Sequence, residues 1–228
     1  MRRLFPRPAD TVGVREAYAV DRPLPADRPW VALCMVSSLD GSTVVDQRSS
    51  ALSSPADTEV LLTLRQLADL LIVGAGTVRV ERYGPPRKAG QRVGVVSRSG
   101  KVDEASALFT SGAGFLIVPE HAPATTIETI RAGVDDVDLP AALTQIRERF
   151  GTAFVQAEGG ARLNAALAEA DVLDELNLTF SPQLAGGDGP RLLRGASSIS
   201  RRMDLAHVLE DDGFLFTRYV RRRDGDPA

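Results

Sequence analysis

The sequence predicts an α/β fold with a mixed, mostly parallel sheet that is flanked by helices and closed by an antiparallel C-terminal edge. Apolar runs of strand length alternate with helix-like segments over about two thirds of the chain, an order typical of parallel strands joined by crossover helices. The rest holds strand-like runs without a long helix between them, which indicates antiparallel pairing. The length, 228 residues, fits one large domain.

The chain begins with a proline-rich stretch. Residues 1–28 are therefore predicted to form an irregular N-terminal arm, with a short helix near residues 11–19. The main domain is predicted over residues 29–221. It opens with the apolar run Trp30–Val36, which is typical of a strand buried on both faces.

The sequence Ser53-Ser54-Pro55 predicts the start of the first long helix, because serine caps a helix and proline fits its first turn. The later elements follow from apolar runs and helical spacing. In chain order they are strands at Leu70–Val73, Val93–Val96 and Phe115–Val118, a helix over Leu139–Phe150, a strand at Ala153–Gln156, a helix over Ala161–Ala170, and strands at Asp174–Ser181, Leu205–Leu209 and Gly213–Val220.

Composition argues against several classes of function. The net charge is −3, so we expect no nucleic-acid partner, and the arginine-rich ends are interpreted as solvated. Cys34 is the single cysteine, and His121 and His207 are the two histidines, so we expect neither a disulfide nor a metal site. There is no apolar run of membrane-spanning length and no leader-like N-terminus, so we expect a cytoplasmic protein without a membrane partner.

Three polar or glycine-containing turns follow predicted strands, at Ser37–Gly41, Gly74–Arg79 and Glu158–Asn164. Ligands of open α/β sheets bind outside the carboxyl ends of the strands, so these turns are expected to face one crevice. Gly159 and Gly160 allow close approach of an anion, which the start of the following helix would attract. An ordinary strand-to-helix turn with a packing glycine is the alternative interpretation.

Three charged residues are candidates for the chemistry. Glu158, at a strand end, could accept hydrogen bonds from the N–H groups of a pyrimidine or pterin ring, or could be a cap or solvated charge. Arg65 could bind a substrate phosphate or carboxylate, or could be surface charge. Asp40 is kept as a candidate catalytic group, although an Asp-Gly pair usually serves turn formation.

The ordered set of these segments resembles one family. It comprises Ser38-Leu39-Asp40-Gly41, Leu64-Arg65, Ala68–Arg79, Glu158-Gly159-Gly160 and Asp174-Glu175-Leu176. Over residues ~28–220 the chain resembles the reductase domain of the riboflavin-pathway enzyme RibD, a member of the dihydrofolate-reductase-like superfamily.

The resemblance implies a reductase that uses NADPH and transfers hydride to the sugar C1 of a phosphorylated ribosylaminopyrimidine (an aminouracil in the family). The implied cofactor contacts are Val36, Thr77, Glu81, Ser97 and the stretch from Gly159 and Gly160 through Ala161, Arg162 and Leu163 to Ala166. The implied substrate contacts are Ser49, Arg65 and Glu158, with Glu158 and Asp40 as candidate catalytic residues. Arg98 is expected to bind the extra phosphate of NADPH, since guanidinium groups suit phosphate.

The chain also departs from the family pattern. Cys34 occupies the place of a frequent lysine, Glu81 replaces a common aspartate, and Tyr83–Pro86 replaces basic and apolar residues. The zinc motif of the deaminase domain is absent. Two alternatives therefore stay open: reduction of dihydrofolate or another pterin, and NADPH binding without catalysis. The resemblance further implies a homodimer.

Overall fold

One twisted sheet of ten strands organises the molecule. A computed structural model describes residues 1–223, and its strands lie in the order β1-β9-β10-β8-β2-β7-β3-β4-β5-β6. The strands are β1 (Arg2–Phe5), β2 (Trp30–Ser37), β3 (Leu70–Gly74), β4 (Arg92–Val96), β5 (Gly114–Val118), β6 (Thr129–Arg131), β7 (Phe154–Ala157), β8 (Glu175–Phe180), β9 (Met203–Asp211) and β10 (Phe214–Arg221).

Six helices accompany the sheet in the described part of the chain. They are α1 (Val14–Tyr18), α2 (Pro55–Leu67), α3 (Ala75–Val80), α4 (Ala107–Thr110), α5 (Leu139–Phe150) and α6 (Ala161–Glu169), and Ser49–Ala51 forms an additional 3₁₀ turn. The Ser54 side chain accepts a hydrogen bond from the Asp57 amide and caps α2 as predicted. Asp138 caps α5 in the same way, through the Ala141 amide.

The pairing confirms the predicted mixed, mostly parallel sheet. Strands β8, β2, β7, β3, β4, β5 and β6 run parallel to their neighbours, whereas β10, β9 and β1 add an antiparallel edge. The outermost antiparallel strand comes from the N-terminus, where an irregular arm was expected. The four residues of β1 are ordered by pairing with β9 across the whole chain, and a pattern so short gives no periodic signal. Helix α1 lies within the range predicted for it.

Apolar side chains cover both faces of the parallel half. One cluster includes Trp30, Leu64 and Leu71, beneath α1 and α2, and the other includes Leu143 and Leu167, from α5 and α6. Since both faces are buried, β2 and β3 are apolar along almost their whole length, as the continuous runs predicted.

The antiparallel half leaves an apolar face partly open. Leu215 pairs with Phe180, and Tyr219 lies opposite Leu205, so these side chains point to the same side of the sheet. Leu205 and Leu215 are each 36% exposed. Phe5, at the edge, is 41% exposed.

Candidate functional site

The carboxyl ends of β2, β3, β4 and β7 open into a single large cleft of about 1750 Å³. Because these four strands are parallel neighbours, the turns that follow them meet at one edge of the sheet. Thirteen of the residues named as expected ligand contacts line this cleft: Val36, Ser49, Arg65, Thr77, Glu81, Ser97, Arg98, Glu158, Gly160, Ala161, Arg162, Leu163 and Ala166.

The glycine pair packs tightly against the turn after β3. Gly159 does not line the cleft, and its carbonyl accepts a hydrogen bond from the Gly74 amide at 3.1 Å. Gly160 has φ +97°, and an added Cβ would lie 3.2 Å from Thr77 Oγ1 and 3.4 Å from Gly74 Cα. The positive φ favours glycine, and the missing Cβ allows the start of α6 to approach the turn after β3 closely.

Asp40 lies apart from this chemistry. Its carboxylate does not line the cleft and accepts hydrogen bonds from the amides of Ala185 and Gly186, at 3.0 and 2.7 Å, and from the Ser38 hydroxyl. The Ala185 and Ser38 donors hold its pKa well below the ordinary value. We therefore assign Asp40 to loop anchoring and not to catalysis.

The end of β4 forms another wall of the cleft. Ser97 is buried, and its amide donates to the Ile117 carbonyl of β5. The Arg98 side chain is 75% exposed and lies 3.8 Å from Asp136 Oδ1. Such a loosely held guanidinium is able to turn toward an anionic ligand.

An ion pair with a buried carboxylate also lines the cleft. The Glu158 side chain is 3% exposed, and Arg65, in the last turn of α2, donates to it through Nε and Nη2 at 2.6 Å each. Burial disfavours the charged guanidinium, but Glu158 raises the Arg65 pKa above its ordinary value. Arg65 is therefore fixed as a cation that faces the cleft.

Tyr83 completes this pair, and sequence reasoning did not identify it as a site residue. Its hydroxyl donates to Glu158 Oε2 and accepts from Arg65 Nη2 at 3.2 Å. Burial and the charge of Glu158 raise the Tyr83 pKa well above its ordinary value, so the phenol stays protonated. Its position, 75 residues from Glu158, left no local signal in the sequence.

Two further side chains lie at the floor of the cleft. Cys34 is buried, and burial followed by the nearby charge of Asp57 raises the pKa of its thiol. A protonated thiol is a poor nucleophile, so Cys34 acts as an apolar wall. Asp57, which the sequence analysis did not single out, is 8% exposed and lines the cleft.

Among residues 1–223, no cluster of three or more histidine, cysteine or carboxylate side chains has a geometry that could hold a metal ion. Within the same residues, no helix is both long and apolar enough to span a bilayer.

Comparison with known proteins now gives the family. The family model for the RibD C-terminal domain matches residues 29–214. A curated relative, the 2,5-diamino-6-ribosylamino-4(3H)-pyrimidinone 5′-phosphate reductase of Methanothermobacter thermautotrophicus, is 27% identical over 195 residues, covering 78% of this chain and 88% of its own.

Solved structures show the same fold. A pyrimidine reductase-like protein from Corynebacterium diphtheriae has a TM-score of 0.79 and 22% identity, covering 93% of this chain and 100% of its own. A dihydrofolate reductase from Enterococcus faecalis, complexed with NADP(H) and RAB-propyl, has a TM-score of 0.50 and 11% identity, covering 85% of this chain and 97% of its own. The predicted dihydrofolate-reductase-like fold is confirmed, and the chain belongs to the RibD C-terminal domain family of reductases.

Proposed function

We propose that this protein is an NADPH-dependent reductase of a phosphorylated ribosylaminopyrimidine in riboflavin biosynthesis. The observation that carries the proposal is one cleft that is lined both by the glycine turn at Gly160 and by the Arg65–Glu158 pair. The name of the archaeal relative supports the substrate class. A cleft of about 1750 Å³ is also large enough for a dinucleotide and a substrate together.

The glycine wall fits the diphosphate of the cofactor. Gly160 lets the start of α6 pack against Thr77 and Gly74, where a Cβ would crowd them. The amide groups and positive dipole end of α6 then suit an anion in the cleft. Val36, Thr77, Glu81 and Ser97 would contact the remainder, and Arg98 the phosphate that distinguishes NADPH from NADH. When bound, the cofactor supplies the hydride for the sugar C1.

The part of the cleft around Arg65 and Glu158 fits an anionic substrate. Arg65 uses Nε and Nη2 for Glu158, and among the described residues its Nη1 has no partner. That free donor, held by Glu158 and Tyr83, is suited to a phosphate or ring oxygen. Ser49 lines the same cleft and would add a hydroxyl donor. Glu158 then acts mainly by positioning Arg65.

Reduction of dihydrofolate or another pterin is the second candidate. Cys34, where the family often has a lysine, leaves an uncharged wall beside the substrate position and favours this alternative. The fold similarity to dihydrofolate reductase is compatible with it. A third candidate is an NADPH-binding protein without catalysis.

A direct assay separates the three candidates. NADPH oxidation is followed with the phosphorylated ribosylaminopyrimidine and with dihydrofolate, side by side, at equal enzyme concentration. We expect turnover with the pyrimidine to exceed turnover with dihydrofolate. Faster dihydrofolate reduction would favour the pterin alternative, and bound NADPH that is never oxidised in a single-turnover assay would favour the non-catalytic one.

We also propose a homodimer and a cytoplasmic location. The partly open apolar face that carries Leu205 and Leu215 supports the dimer, because large exposed apolar side chains on a sheet face mark association surfaces. Light scattering at micromolar concentration is expected to give twice the monomer mass of 24.4 kDa. A monomer mass would overturn the dimer.

A further inference from the structure

Asp57 is a buried carboxylate that the proposed reaction does not use. It lies in the first turn of α2, is 8% exposed, and lines the floor of the cleft. Its Oδ2 accepts from the Ser53 hydroxyl at 2.6 Å, and its amide donates to Ser54 Oγ at 3.1 Å. Within residues 1–223, Oδ1 has no hydrogen-bond partner and the carboxylate has no ion-pair partner. Oδ1 is therefore able to accept a hydrogen bond from a ligand in the cleft that Asp57 lines.

Glu158, which the sequence suggested as the acceptor for ring N–H groups, is already engaged. Both of its oxygens accept from Arg65, and Oε2 also accepts from Tyr83. A ligand that used Glu158 would have to compete with charge-assisted bonds of 2.6 Å. A ligand can bind Asp57 without displacing a protein partner, because Oδ1 is free and Oδ2 still has acceptor capacity.

The floor around Asp57 favours a flat ring with donor groups on one edge. Cys34 presents a protonated, nearly apolar surface beside it, and Asp57 contributes to the raised pKa of that thiol, after burial. Arg65, farther along the same helix, is paired with Glu158 and leaves the charge of Asp57 uncompensated. Two parallel N–H donors from one ligand edge would supply that compensation.

We propose that Asp57 recognises an amidine-like edge, a ring N–H beside an exocyclic amino group, as found in 2-amino-4-oxopyrimidines and pterins. A uracil ring carries a C2 carbonyl in place of the amino group, so its oxygen would face the carboxylate without a hydrogen. The inference deepens the proposed function, since it selects the diaminopyrimidinone substrate over the aminouracil. Sites built to hydrogen-bond a substrate group strongly reject analogues that lack it.

The test compares two ring types in the wild-type protein and in Asp57→Asn. The ratio kcat/KM is measured for the phosphorylated diaminopyrimidinone and for its uracil counterpart. Wild type is expected to favour the diaminopyrimidinone at least about 100-fold in kcat/KM, and Asp57→Asn to reduce that preference at least about 10-fold. NADPH affinity, read from cofactor fluorescence, is expected to stay unchanged. An unchanged preference in a folded Asp57→Asn protein would overturn the proposal.

Two control variants separate recognition from folding. Glu59→Gln removes an exposed acid from the same helix, and we expect wild-type preference. Ser53→Ala removes the hydrogen bond to Oδ2 but keeps the carboxylate, so the preference is again expected to remain. Loss of preference in Ser53→Ala equal to that in Asp57→Asn would indicate a structural role and overturn the recognition role.

A binding measurement tests the role of Asp57 separately from the proposed reductase function. Calorimetry measures the affinity for the unreactive rings 2-amino-4-hydroxypyrimidine and uracil in the presence of NADP⁺, so no turnover is required. Preferential binding of the aminopyrimidine that is lost in Asp57→Asn would support the role of Asp57 even if neither phosphorylated substrate is reduced. Equal binding of both rings by wild type would overturn it even if the reductase activity is found.

Discussion

Arg65 and Glu158 form a two-pronged ion pair at the wall of the cleft, with Nε–Oε1 and Nη2–Oε2 distances of 2.6 Å. The residues are 93 positions apart in the chain and meet because α2 packs beside the end of β7. Arg65 occupies both oxygens of Glu158, the carboxylate that the sequence suggested for recognition of a substrate ring. Arg65 is thereby held as a fixed cation, and Asp57 remains a buried carboxylate of the cleft whose Oδ1 has no partner among the described residues.

Arg65→Lys is expected to weaken both stability and substrate binding. An ammonium group cannot donate two parallel bonds to Glu158, so the buried carboxylate is left partly unsatisfied. We expect a loss of about 1–3 kcal/mol in the free energy of unfolding and about a 10-fold fall in kcat/KM. Urea unfolding and steady-state kinetics measure the two effects. Arg92→Lys, at the more exposed pair with Glu128, is the control and should leave kcat/KM unchanged.

Tyr83→Phe is expected to raise KM without a matching change in NADPH affinity. The change removes the hydroxyl that donates to Glu158 and accepts from Arg65, while the ring remains. A loss of about 1.5–3 kcal/mol in stability and a several-fold rise in KM would follow from losing these hydrogen bonds to charged groups. Tyr219→Phe is the control, because among the described residues that hydroxyl has no partner. Identical KM values for wild type and Tyr83→Phe would remove Tyr83 from the site.

Gly160→Ala is expected to impair cofactor binding. At φ +97° an alanine is strained, and its Cβ would press on Thr77 and Gly74 at 3.2 and 3.4 Å. Strain of this kind costs about 1–3 kcal/mol and would shift the turn, so we expect the NADPH Kd, measured by fluorescence titration, to rise at least about 10-fold. Gly187→Ala also has positive φ but has open space around the added Cβ. If both variants bind NADPH like wild type, the glycine wall does not hold the cofactor.

Arg98→Ala is expected to abolish the preference for NADPH over NADH. The exposed guanidinium lines the cleft at the end of β4, and within residues 1–223 its one ion pair is the long contact to Asp136. The measurement is the ratio of kcat/KM for the two cofactors. Arg202→Ala is a matched control, since Arg202 is 74% exposed and lies 4.0 Å from Asp204. An unchanged ratio in Arg98→Ala would assign the cofactor phosphate to another group.

His207 is expected to make stability depend on pH. Burial, then the charge of Arg218, lowers its pKa to about 4, and the ring packs edge-on against Tyr18 at 4.8 Å. Because the unfolded chain binds this proton more readily than the folded one, stability falls as the pH drops from about 6.5 toward 4. Between pH 7.5 and 5 the loss should be about 2 kcal/mol.

The buried carboxylate near His207 titrates outside this window. Burial opposes ionisation of Glu175, but Arg218 and Arg22 lower its pKa to about 2, so its stabilisation is lost only below about pH 4.5. His207→Phe should therefore flatten the dependence between pH 7.5 and 5 in urea unfolding. His121→Gln, at an exposed position, should retain it. A slope that is equal in wild type and His207→Phe would contradict the assignment.

The sequence alone determined the elements whose signals are local. The apolar runs identified β2 and β3, and the serine and proline at residues 53–55 placed the start of α2, because strand burial and helix capping depend on residues a few positions apart. The strands β1 and β6 have only four and three residues, so they depend on their sheet neighbours and left no pattern to find.

The same distinction between local signals and long-range contacts applies to the candidate site. The order of the strand-end turns predicted the cleft and most residues that line it, since parallel strands bring such turns to one edge. Only the tertiary structure decided which charges are paired: Glu158 with Arg65 and Tyr83, Asp40 with the Ser38 hydroxyl and two loop amides, and Asp57 with a single hydroxyl. The partners of Glu158 and the loop amides at Asp40 lie 75 to 146 residues away, so packing brings them together and no local spacing encodes them.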